Sequence, residues 1–407
     1  MIESSMNPSV ARLPGMSQIL LTFGLSICSL SILLPASPAW AIHGGAGSLG
    51  AGMTNAVLMI VTVLTQFMVP ALTRRFGWAK VLPAGALFMG LPSLLQAVSP
   101  SLVNVLVSSG LRGVGFGILT VCCASALSYL IPLEYRGRAV GLYGLAAAGA
   151  QLIFTPLAPA ALDLFGFRPV IMTGVIAALA TPFAAQLGGQ VDRYLAEQVT
   201  TSTGSSQAAS TGEILRRIWP ALLTLTLMTS VGGAFLTFST EIAPTPVLAS
   251  VALLALCAMA TPTRLWGGSI TDRWGTRRLM TPVLAFAAVG TVLVGLMQGA
   301  GVGSTVLLIG GALMIGFGYG FLQSVTMVRA LNDAGGPAET QRASVAWNAC
   351  FDVGTGLGAL AIGALAQVAT FSAAWLLSAA VLAFFALVVG VLDANGSRRV
   401  GESQFTH

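Results

Sequence analysis

The stretch Gly268-Ser-Ile-Thr-Asp272-Arg273-Trp-Gly275-Thr-Arg277-Arg278 decides how this chain is read. It gathers one acid and three arginines in a chain of which only 8% is charged and 55% is apolar. An apolar run, 244–266, precedes it, and another, 279–299, follows it. Each is long enough to cross hydrocarbon, which takes about 20 residues at 1.5 Å rise. The stretch is therefore a short polar connection between two membrane-spanning helices. Soluble domains carry roughly 25% charged residues. So few charges cannot clothe a water-facing surface, and lipid must be the solvent for most of this one. The 48 glycines agree, because Gly is more frequent in membrane helices than in soluble ones.

Outward from this connection the same pattern repeats. Spans are expected near 17–37, 46–70, 81–98, 103–131, 139–162, 168–187, 217–240, 244–266, 279–299, 304–328, 343–367 and 371–392. Helix is forced there, since backbone groups in lipid must be satisfied within the segment or in a closed barrel. The runs are too long and too evenly apolar for barrel strands. Ile19 to Ala41 reads as the first span, not as a cleaved leader. The clearest break is 188–216, where Asp192, Arg193, Glu197, Glu213 and Arg216 flank the tract Thr200-Thr-Ser-Thr-Gly-Ser-Ser-Gln207. The expected organisation is an N-terminal six-helix bundle at 1–187, a cytoplasmic linker at 188–216 and a C-terminal six-helix bundle at 217–407.

Basic residues set the orientation. With the N-terminus inside, 17 of the 19 Lys and Arg fall in cytoplasmic segments. Only Arg168 falls outside, and Arg112 lies within a span. Both termini are thus expected in the cytoplasm of a cell whose inner (plasma) membrane holds the protein. The formal charge of +6 reflects these loops. No run of five or six basic residues exists to bind nucleic acid. The five cysteines all sit in apolar stretches, and with two histidines no metal site is expected.

The halves echo each other at an offset of about 200 residues. Leu72-Thr-Arg-Arg-Phe-Gly77 matches Ile270-Thr-Asp-Arg-Trp-Gly275. Gly113-Val-Gly-Phe-Gly117 matches Gly316-Phe-Gly-Tyr-Gly320, and Arg138-Ala139 matches Arg342-Ala343. A parallel repeat of six helices is a transporter architecture. On these residues the chain resembles a major facilitator superfamily transporter of the twelve-helix, exporter-like type. Gly268, Asp272, Arg273, Gly275, Arg277 and Arg278 are similar to its loop signature. The resemblance implies a gating loop, with Arg75, Gly77 and Lys80 as the first-half counterpart. That copy departs from the family pattern at Pro70 and Arg74. Span 4 departs too, with Ser109 where the family often has Arg. Span 5 keeps Pro156 of an antiporter motif without the Gly before it.

Ionisable groups deep in a span are costly and so informative. Arg112 in span 4 and Asp352 in span 11 lie roughly 13 Å into their helices. The resemblance implies that both spans line a central cavity. Asp352 is the expected protonation site and Arg112 an anion contact; a fixed polar contact between helices is the competing reading. Asn348, one turn from Asp352, should share its face. Gln151, Asn55 and Gln323 are further candidates for lining the cavity or joining helices. The glycine clusters lack the strand–turn–helix context of a nucleotide loop. No cofactor is expected and no enzyme chemistry. The function expected is proton-coupled export (efflux by proton antiport) of a small organic compound, by alternating access. The alternatives are proton-coupled uptake of an organic anion and a non-transporting sensor. The expected partners are the solute, protons and lipid, with the protein a monomer.

Overall fold

The computed structural model describes residues 13–198, 211–297, 301–335 and 337–404. The protein is an all-α membrane protein, with twelve helical spans among the described residues. Spans 1 and 2 are α1 (Met16–His43) and α2 (Ser48–Phe76). Span 3 is α3 (Trp78–Gly90) continued by α4 (Pro92–Val98), and span 4 is α5 (Leu102–Leu130). Span 5 is α6 (Leu133–Phe165). Span 6 is α7 (Phe167–Met172), a 3₁₀ stretch (Thr173–Ala180) and α8 (Thr181–Gln198). Spans 7 to 12 are α9 (Thr211–Ile242), α10 (Pro246–Trp274), α11 (Thr276–Leu296), α12 (Val302–Ala334), α13 (Pro337–Val368) and α14 (Phe371–Gln404). Helix thus reaches into both ends of the expected 188–216 linker; 199–210 lie outside the described residues.

Local chemistry explains the starts and stops. Pro92 opens α4 at a position whose N–H needs no partner. Thr245 caps α10, its hydroxyl accepting from the Leu248 N–H at 3.2 Å, with Pro246 beginning the helix. Large apolar side chains face outward, Phe67 at 65% and Leu387 at 69% exposure. In water such a surface would aggregate; in lipid it is the ordinary one. Inside the spans, most hydroxyls bond their own backbone one turn back, as Ser26 does to Thr22, Thr224 to Pro220 and Thr237 to Gly233. This satisfies a polar group with no help from a neighbouring helix.

The chain divides into two compact units. The first is Met1–Ala36 with Ile60–Ser205. Its core holds Phe23, Met89, Phe116, Leu119, Cys122 and Cys123. There α3 packs on α5 and α8. A Cβ at Gly115 would lie 2.3 Å from the Met89 amide nitrogen, so only glycine allows this approach of α5 to α3.

The second unit is Ser37–Met59 with Ser206–His407. In it α10 packs on α12, α9 on α13, and α11 on both α12 and α14. The N-terminal part of α2 belongs here. A Cβ at Gly52 would stand 2.3 Å from the Ala359 carbonyl oxygen, and one at Gly363 2.5 Å from that of Ser48. Gly356 similarly meets Ala56 and Met59. Asn55 closes the seam, its Nδ2 donating to the Thr237 hydroxyl at 2.9 Å.

The two signature turns have one geometry. Gly77 has φ 79° and ψ 155°, and Gly275 has φ 78° and ψ 147°. These backbone values are essentially open to glycine alone. In both turns the glycine N–H closes on a threonine carbonyl, Thr73 or Thr271. Each of those threonines bonds its own hydroxyl one turn back, to Val69 and to Gly267.

Candidate solute and proton site

In the first unit the decisive side chain is Arg112, which is 1% exposed. It lies ten residues into α5, roughly 15 Å along the axis. Neighbours fix the faces of this helix. The Gly113 carbonyl accepts from the Thr62 hydroxyl at 3.2 Å, and Gly117 abuts Thr62 and Thr65, so that edge faces α2. Gly115 abuts Gly85 and Met89, so the opposite edge faces α3. Arg112 lies between those edges, on the strip shared with Ser108, Ser109 and Phe116, one turn away on either side. Phe116 belongs to the core, so the strip points into the unit.

The Nε and Nη2 of Arg112 have no hydrogen-bond partner among the described residues. The hydroxyls of Ser108 and Ser109, 0% and 1% exposed, are equally without one. Both forgo the bond to their own helix that most neighbouring hydroxyls make. Gln151 is half-buried on α6.

In the second unit Asp352 is 5% exposed on α13. Beside it the helix carries an ordered aromatic group. Phe351 stacks on Trp347 with centroids 5.9 Å apart and leans on Tyr319 at 6.1 Å. The Trp347 indole N–H donates to the Thr326 hydroxyl at 3.0 Å. Trp347 is thus packed inside the unit. Gln323, one turn before that Thr on α12, is buried with its Oε1 free of partners among the described residues. Asn348 is exposed and turns its amide back to the Ser344 carbonyl, while Asp352 one turn on is buried. Asn55 is spent on the seam with Thr237. A separate crevice of about 240 Å³ among α9, α13 and α14 is lined by apolar side chains that include Leu227, Leu357, Leu377 and Val381.

At the loops, Arg273, Arg277 and Arg278 are exposed, and so is Arg75, whose guanidinium lies 5.3 Å from the Phe76 ring centre. The side chain of Asp272 lies outside the described residues. The acid that acts at the first turn is Asp192 of α8. It accepts from the Trp78 and Ala79 N–H groups at 3.0 and 2.9 Å, capping α3 from another helix. Sequence reading placed Asp192 in a linker and did not connect it to this turn. Ser108 was missed as well, although its spacing of four from Arg112 was open to view. Among the described residues no group of three metal-ligating side chains exists.

Residues 19–336 match the family model of the Major Facilitator Superfamily. A probable 4-methylmuconolactone transporter of Cupriavidus pinatubonensis (strain JMP 134 / LMG 1197) is 25% identical over 150 residues. That alignment spans 36% of this chain and 35% of the relative, about a third of its length. The nucleoside transporter NupG superposes with a TM-score of 0.72 at 13% identity, over 93% of this chain and 98% of that one. A bacterial homologue of the human lysosomal transporter Spinster, in its inward-facing occupied conformation, gives 0.71 at 12% identity, over 94% and 96%. At such identities the likeness is one of fold.

Proposed function

The chain belongs to the Major Facilitator Superfamily, and from that premise we propose that it is a proton-coupled secondary transporter of a small organic compound, working by alternating access. It is a transporter and not an enzyme. The observation that carries the coupling is Asp352, an acid only 5% exposed in the middle of a spanning helix. A charged carboxylate at the centre of such a helix costs about 2.5–3.5 kcal/mol on insertion scales. In general, desolvation favours the neutral form of a carboxylate and a nearby cation its charged form. A change of surroundings during the cycle therefore loads and unloads a proton. The likeness to a probable 4-methylmuconolactone transporter supports a small organic solute.

Export is the direction we favour, from the scarcity of charge in the spans. In this reading the protein works as a monomer in the cell inner membrane, with both termini cytoplasmic. Arg112 favours a second reading, uptake of an organic anion.

Reconstitution in proteoliposomes under an imposed pH gradient tests the coupling. Asp352→Asn should lose gradient-driven accumulation and keep gradient-independent exchange. Unchanged accumulation would remove the proton role. Absence of flux in the wild type for every solute tried would point to a sensor on the same fold.

A further inference from the structure

Proton coupling through Asp352 leaves Arg112 without a task. A guanidinium in a spanning helix persists when it is paired, wet or used. Buried polar groups are hydrogen-bonded in nine cases of ten or more, roughly. Here a cluster breaks that rule together: Arg112 Nε, Arg112 Nη2, Ser108 Oγ and Ser109 Oγ. A permanent brace between helices would show the acceptor it braces against. The buried polar side chains described in this unit are hydroxyls, Gln96 and Arg112, with no carboxylate among them. Its described acids, Glu134, Asp163, Asp192 and Glu197, lie outside that buried set, and Asp192 spends both oxygens on α3.

The free nitrogens have a shape. Nε and Nη2 form one edge of the planar guanidinium, with two parallel N–H bonds spaced for the two oxygens of a carboxylate. Two serine hydroxyls one turn away add donors to the same strip. Arg112 is also the one cation among the unit's buried described residues. A single positive charge balances a carboxylate; a phosphate near −2 would be left half-neutralised.

We infer that Arg112, Ser108 and Ser109 receive the carboxylate of the transported compound, so that the substrate is an organic anion with one carboxylate end in this unit. The word substrate rests on the transporter reading; the anion site itself does not.

The test uses purified full-length protein and matched probes, benzoate against benzamide and adipate against adipamide. A ligand that binds only the folded state raises the thermal midpoint. The acids should shift the wild type and the amides should not. Arg112→Met should stay folded with an undiminished midpoint, because it replaces an unpaired buried charge by an apolar chain of similar length. It should also lose at least about tenfold in benzoate affinity, the effect of removing a charge-assisted hydrogen bond. Arg112→Lys should keep a weakened response, and Ser109→Ala and Ser108→Ala should each weaken it a few-fold. The inference falls if Arg112→Met lowers the midpoint, which would mark an internal brace. It falls too if benzoate still shifts that variant, if the amides act like the acids, if inorganic phosphate outcompetes benzoate, or if no acid shifts the wild type at millimolar concentration. Flux assays separate the two readings. Arg112-dependent benzoate binding without flux of any solute would sink transport and leave the anion site standing. Flux unaffected by Arg112→Met would leave transport standing and sink the claim that the substrate's carboxylate sits at Arg112.

Discussion

The turn at Gly77 and the turn at Gly275 share backbone angles, a threonine carbonyl closure and a threonine hydroxyl bonded one turn back. They differ in what holds the next helix. At Gly77 the first N–H groups of α3 are capped by Asp192, carried in from α8. At Gly275 the capping residue itself offers no side chain to the start of α11, and a methyl there would meet nothing within 4 Å. The first half has Arg74 where the second has Asp272, so its turn has borrowed an acid from elsewhere. Duplicated backbones can keep a geometry while the residues that stabilise it change place.

The halves diverge more sharply in what they bury. The first holds a cation whose Nε and Nη2 have no hydrogen-bond partner among the described residues, the second an acid beside an aromatic stack. The largest expected effect sharpens this contrast: Asp352→Asn should abolish gradient-driven accumulation in proteoliposomes, whereas Gln151→Ala on the half-buried face of α6 should leave most of it. Equal losses in the two variants would erase the distinction.

Stability changes test the turns. Gly77→Ala should destabilise by about 2–3 kcal/mol, from a backbone region closed to L residues and a methyl brought against Asp192. Gly275→Ala suffers only the first effect, about 1–2 kcal/mol. Thermal unfolding in detergent should therefore rank Gly77→Ala below Gly275→Ala, and the opposite ranking would break the comparison. Asp192→Ala should cost about 1 kcal/mol through the uncapped start of α3, read in the same assay. The smallest effect is at the seam, where Asn55→Ala should lose about 0.6 kcal/mol, the average for a side-chain hydrogen bond between membrane helices.

The sequence already held the twelve spans, because hydrocarbon leaves the backbone no other choice. It held the paired signature turns too, since a glycine there reads directly as a special backbone. Arg112 and Asp352 stood out as charges in apolar runs. Less could be read where meaning depends on distant contacts. Asp192 meets Trp78 across 114 residues of chain, and Asn55 meets Thr237 across 182. Nor does spacing tell a hydroxyl that bonds its own helix, as Thr237 does, from one that leaves that bond unmade, as Ser109 does.

The glycines at 52, 356 and 363 bring backbone directly against backbone along the seam of the second unit. Backbones that touch through hydrogens and carbonyl oxygens have few rotamers to reset when they part or meet again. Their cohesion comes from dispersion and weak Cα–H···O contacts of about 0.5–1 kcal/mol each. One added methyl at Gly52 would wedge the two backbones apart, since it would stand 2.3 Å from the Ala359 carbonyl oxygen.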